Sequence, residues 1–90
     1  AGSHADEIET SIMLALAPEV VDMARAEASP PGRGDAPLPL SPDDPKSANY
    51  APSGSYGDPT LATAAKGRDL VAAIWKDIEA ACRVRGLIKN

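Results

Sequence analysis

The sequence predicts a mainly helical chain interrupted by a long proline-rich loop, with too thin a core to stand as an independent domain. Three observations carry this. Large aliphatic residues gather in two stretches, Ile8 to Met23 and Leu70 to Ile88, both at helical spacing. Most of the nine prolines fall between those stretches, among Gly, Ser and Asp. The 90 residues include no Phe, one Trp and two Tyr, and alanine is the commonest apolar residue. A chain of this size buries only part of its unfolded surface, so burial against another chain is expected.

The chain reads as one partial domain in three segments: residues 1–28, 29–57 and 58–90. In the first, Ile8, Ile12 and Leu16, with Met13 and Leu14, predict a helix from about Asp6. The Pro18 ring clashes with a preceding helical turn, so this helix ends near Leu16 or Ala17. Pro18 can then open a second short helix, Pro18 to Ala26, as a first-turn proline beside Glu19. In the second segment, Pro30, Pro31, Pro37, Pro39, Pro42 and Pro45 forbid regular helix and ladder. Leu38 and Leu40 are candidates to pin this loop to a surface. In the third, Asp58 reads as an N-cap and Pro59 as a first helical residue. Leu70, Ile74, Ile78 and Ala81 form one apolar face, widened by Val71, Trp75 and Cys82. Gly86 suits a left-handed cap. Gly67, inside the pattern, costs about 1 kcal/mol relative to Ala. It implies close packing against another element, or a helix that starts later.

The net charge of −4 leaves no basic stripe to neutralise phosphates, which argues against nucleic acid. Arg83, Arg85 and Lys89 read as complements to a helix C-terminus. Cys82 stands alone, so no internal disulfide forms. No apolar run approaches the roughly 20 residues of a membrane span. With no signal segment visible, a cytoplasmic location is expected.

The polar residues that could carry chemistry cluster at the front: His4, Asp6, Glu7, Glu9, Thr10 and Ser11. Imidazole nitrogen and carboxylate oxygen are ordinary zinc and manganese ligands. The same run also suits a helix start decorated with capping acids, where Ser11 or Thr10 helps satisfy free backbone donors. One His and one Glu cannot close a catalytic metal site, which takes about three protein ligands. No nucleophile-elbow pattern surrounds any serine. Gly54-Ser55-Tyr56-Gly57 lacks the lysine and spacing of a phosphate loop. Ala1-Gly2-Ser3-His4, taken alone, also looks like an expression remnant.

The run His4-Ala5-Asp6-Glu7-Ile8-Glu9-Thr10-Ser11 is followed by Met13-Leu14-Ala15-Leu16, Pro18 and Val21-Asp22-Met23. Together these resemble the creatininase-family segment His-Ala-Gly-Glu-x-Glu-Thr-Ser with its apolar helix and proline. Asp6 stands in place of the family glycine, which puts the backbone turn there in question. Gly57-Asp58-Pro59-Thr60-Leu61-Ala62-Thr63-Ala64-Ala65-Lys66-Gly67 is similar to the family's closing Gly-x-Pro-x-x-Ala-Thr-x-x-Lys-Gly run, with Ala65 where Glu is common. Both ends of the chain carry the resemblance, and His4 falls in register with the family histidine.

The resemblance implies an α/β sandwich around a mainly parallel sheet, of which this chain is the carboxy-terminal portion. It implies two divalent metal ions, zinc or manganese, and hydrolysis of a C–N amide bond in a small, often cyclic, substrate. Most family ligands come from an amino-terminal Glu-x-His pair, an Asp and a Gly-His loop, none of which occurs here. By resemblance, His4 moves a proton toward the leaving nitrogen and Glu9 ligates the metal. Glu7 supports the site from behind, and Tyr56 either lines the substrate pocket or packs on the surface. The implied partner is the amino-terminal half of the domain on a separate chain, within a larger oligomer. Two other readings stay open: a non-catalytic assembly or regulatory subunit that binds through its apolar helices, and a fragment that orders only on binding.

Overall fold

The computed structural model describes residues 3–30, 32–33 and 39–89. Pro31, Pro37 and Leu38, and the opening Ala1-Gly2, lie outside the described residues. Helix α1 spans Glu7–Leu16 and helix α2 spans Ala64–Val84. The described residues hold no strand, only one isolated antiparallel bridge between His4 and Tyr56. The expected helical character is therefore present, and the described residues contribute no strand to the sheet of the implied α/β sandwich.

Helix α1 starts on the Asp6 carboxylate, which accepts the Glu9 N–H at 3.0 Å. It ends where expected, at Leu16, because Ala17 before Pro18 is forced out of the helical region to φ −150°, ψ 66°. The expected helix from Pro18 to Ala26 does not form. Two 3₁₀ turns stand in its place, Pro18–Val20 and Met23–Arg25, separated by extended Val21. The reason is local. The Asp22 carboxylate accepts the Ala24 N–H at 3.1 Å, a turn-forming bond that competes with helix propagation.

The start of the last helix also shifts. Asp58 and Pro59 do open a turn, but it is the 3₁₀ turn Pro59–Leu61. Ala62 is then extended, and Thr63 supplies a new N-cap whose hydroxyl accepts the Lys66 N–H at 3.1 Å. At the far end, Gly86 takes φ 73°. The Leu87 N–H reaches Cys82 O at 2.8 Å and the Gly86 N–H reaches Arg83 O at 3.0 Å, a Schellman cap. Arg83 pairs with Glu79 one turn back, at 3.0 Å.

Of the two readings of Gly67, close packing holds: α2 begins at Ala64, so Gly67 stays inside the helix, where α2 presses on α1. A Cβ built on it would lie 1.8 Å from the Ser11 carbonyl oxygen and 2.9 Å from the Ala15 Cβ. Ser11 is fully buried, and its hydroxyl accepts the Thr63 N–H at 3.1 Å. Ser11 thus satisfies a free donor at the start of α2 instead of at the start of its own helix.

The described residues between 29 and 57 form turns tied at the neck. The Ser29 N–H donates to Gly57 O at 2.8 Å, and the Gly57 N–H donates to the Ser29 hydroxyl at 2.9 Å. Buried Ala51 and Asn49 lie inside this excursion. Leu40, a candidate anchor, stays 37% exposed.

The core is as thin as the composition implies. Among the described residues the buried apolar set is Ala51, Tyr56 and Ala62. Leu16, Ile74, Trp75, Ile78 and Leu87 are 47–74% exposed. The radius of gyration is 16.3 Å, against about 12 Å for a compact domain of this length. The apolar face of α2 forms as the spacing predicts, but this chain leaves most of it uncovered.

Two substitutions test the helix crossing. By helix propensity alone, Gly67→Ala would stabilise by about 1 kcal/mol. Here it is expected to destabilise by about 1–3 kcal/mol, because the methyl group meets backbone; urea unfolding followed by far-UV circular dichroism reads the sign. Ser11→Ala leaves the Thr63 N–H without its acceptor and is expected to cost about 1–3 kcal/mol in the same assay.

Candidate functional site

The start of α1 is a closed loop of hydrogen bonds. Asp6, 5% exposed, holds the Glu9 N–H, and the Glu9 carboxylate reaches back to accept the Ala5 N–H at 2.6 Å. This is a capping box moved one residue outward, since the reciprocal bond goes to the residue before the cap. Between these bonds Ala5 takes φ 46°, the only positive φ at a non-glycine residue among those described. Asp6, which replaces the family glycine, itself sits at φ −96°, ψ −166°. Extended backbone of this kind tolerates any side chain, so the substitution is sterically free and adds a cap.

His4 is held from the other side. Its carbonyl accepts the Tyr56 N–H at 2.8 Å, and the Tyr56 carbonyl accepts the Ser3 N–H at 2.7 Å. The imidazole stays outward: the His4 and Glu9 side chains are each 56% exposed, with Nδ1 and Oε2 3.9 Å apart. The His4 and Tyr56 rings lie 6.3 Å apart between centroids, tilted by 49°.

The four sequence-predicted site residues therefore divide. His4 and Glu9 come together. Glu7 does not join them: two positions along a helix from Glu9, it points to a different face. Its carboxylate meets the Lys66 ammonium at 2.7 Å, and Lys66 also donates to Leu61 O at 2.8 Å. Tyr56 is buried, 2% exposed, which corrects the surface-packing reading. Its hydroxyl donates to Asn49 O at 2.8 Å and accepts the Ser41 N–H at 3.1 Å, so it organises the loop. Asn49, fully buried at the centre of that network, went unmarked in the sequence because a lone Asn in a Pro/Ser-rich run looks like any turn residue.

Two depressions flank the start of α1. An open cleft of ≈ 880 Å³ is bordered by Glu7, Lys66, Asp69, Arg33 and Tyr56. A smaller hollow of ≈ 360 Å³ on the other side is bordered by Glu9, Thr10, Met13, Val21 and Asp22. No group of three or more His, Cys, Asp or Glu among the described residues is placed to hold a metal. His4 and Glu9 offer one nitrogen and one carboxylate on an open edge, a donor pair that suits zinc or manganese but fills only part of a catalytic coordination shell.

The Glu7–Lys66 pair, with side chains 37% and 50% exposed, is screened by water. A double-mutant cycle with Glu7→Ala and Lys66→Ala, read by urea unfolding, is expected to give a coupling of about 0.2–1 kcal/mol.

No helix among the described residues is long and apolar enough to cross a membrane. A family model described as creatinine amidohydrolase matches residues 1–82. No individual curated protein and no solved structure gives a significant match. That span takes in the His4–Ser11 run, the neck of the loop, the Lys66-Gly67 crossing and most of α2, and the family suggests an amidohydrolase-type function. The chain belongs to the creatininase family.

Proposed function

We propose that this chain is one part of a metal-dependent amidohydrolase that cleaves a C–N amide bond in a small linear or cyclic substrate. The observation that carries the reading is the juxtaposition of His4 and Glu9, 3.9 Å apart on an exposed edge, inside the span matched by the family. The family is generally metal-dependent, and two divalent ions, zinc or manganese, are the expected cofactor. Bound metal supplies Lewis-acid polarisation of the amide carbonyl. Glu9 is this chain's donor to it, through Oε1, which has no hydrogen-bond partner among the described residues. His4 carries a proton to the departing nitrogen, a task open to an exposed imidazole on the same edge as Glu9.

Two observations favour a complementary polypeptide. No three His, Cys, Asp or Glu among the described residues are grouped to hold a metal, so a bound ion would take its other donors elsewhere. The apolar faces of α1 and α2, with Leu16, Ile74, Trp75 and Ile78 uncovered, need a partner surface. The amino-terminal half of the family domain, with its parallel sheet, meets both needs and restores the α/β sandwich. Assembly of such pairs into a larger oligomer follows the same logic.

The test is reconstitution of this chain with an amino-terminal family half, followed by metal analysis and creatinine hydrolysis. A stoichiometric complex that retains divalent metal is expected, with His4→Ala lowering kcat about 10²–10⁴-fold. Glu9→Ala should lose metal as well as activity. A complex that forms but works equally well with both variants would assign this chain to assembly alone.

A further inference from the structure

We infer that Asp6 is a positioning residue for His4, acting through Ala5 and Glu9; the catalytic meaning of this rests on the role proposed for His4, while the geometry does not. Among the described residues the His4 side chain makes no hydrogen bond, and the Glu9 Oε2 lies 3.9 Å from its Nδ1, beyond hydrogen-bond length. Its direction is therefore set by backbone on both sides. On one side the bridge to Tyr56 holds its carbonyl. On the other, Ala5 turns the chain at φ 46°, a conformation an alanine rarely adopts unless its surroundings hold it there.

Those surroundings are two carboxylates, each accepting a backbone N–H: Asp6 from Glu9, and Glu9 from Ala5. The Asp6 side chain accepts the Glu9 N–H at 3.0 Å, and the Asp6 carbonyl accepts the Thr10 N–H at 3.1 Å, which seats Glu9 in the first turn of α1. From that seat the Glu9 carboxylate takes the Ala5 N–H at 2.6 Å. Removing the Asp6 carboxylate frees the first turn, and with it the anchor that holds Ala5 left-handed. The glycine that the family carries at this position has no side-chain acceptor. The clasp thus moves the task of holding the turn onto this chain's own side chains.

His4 is the only histidine in the sequence, so its ring signals are unambiguous in an NMR spectrum of the full 90-residue chain. The unmodified chain is expected to show a strong intraresidue Ala5 HN–Hα cross-peak, the mark of positive φ, and a ring contact between His4 and Tyr56. Asp6→Ala should lose both. Asp6→Asn, whose amide oxygen still accepts the Glu9 N–H, should keep both. Ser11→Ala, which loosens the helix crossing without touching the clasp, should also keep both. Retention in Asp6→Ala, loss in Asp6→Asn or Ser11→Ala, or absence from the unmodified chain overturns the inference. None of these readouts depends on hydrolysis. An inactive reconstituted complex with intact cross-peaks would remove the proposed function and leave the clasp standing.

Discussion

Everything in this chain hangs on one close approach, the contact of α2 with α1 at Gly67. A Cβ there would fall inside the Ser11 carbonyl, so the two helices touch backbone to backbone. Ser11 makes the same contact polar: its hydroxyl takes the Thr63 N–H, joining the middle of α1 to the start of α2. Lys66 adds a third tie, bridging Glu7 on α1 and Leu61 O on the turn before α2. These contacts bury little apolar area, yet they define how the two ends of the sequence meet. The proline-rich excursion is free to loop outward because its ends are brought together and tied by Ser29 and Gly57.

The site grows from that arrangement. With α1 fixed, its first turn presents Glu9 to one side and Glu7 to the other. The side nearer α2 is neutralised by Lys66. The side away from it remains open, and His4 comes to it because the Tyr56 strand-like contact delivers the chain there. Tyr56 in turn is immobilised by Asn49 and Ser41. The long loop therefore has a physical job: it buries the tyrosine against which the histidine segment is laid.

Large apolar side chains stay exposed along much of the chain, and on α2 they are Ile74, Trp75, Ile78 and Val84. A helix with half-exposed Ile74, Trp75 and Ile78 is only marginally stable in water by its own packing. An enzyme completed by a second polypeptide would cover that face and supply metal donors in one step. Binding and catalytic competence would then be coupled through the same helices.

Local signals were legible in the sequence wherever a single residue type dictates the backbone. Pro18 ended α1, Gly86 formed the left-handed cap, and Gly67 marked a close contact. One motif singled out His4 and Glu9, but not that they would come within 3.9 Å of each other. Signals failed where two local preferences compete over a few residues: Asp22 against helix after Pro18, and Thr63 against Asp58 for the cap of α2. The separation of Glu7 from Glu9, the burial of Tyr56 and Asn49, and the reach of Ser11 to Thr63 belong to contacts between residues far apart in the chain. By itself the sequence determined the two long helices in outline, the thin core and the family. Only tertiary structure decided which carboxylate faces the histidine and which is taken by Lys66, because that depends on the side from which α2 crosses α1, and no local pattern encodes it.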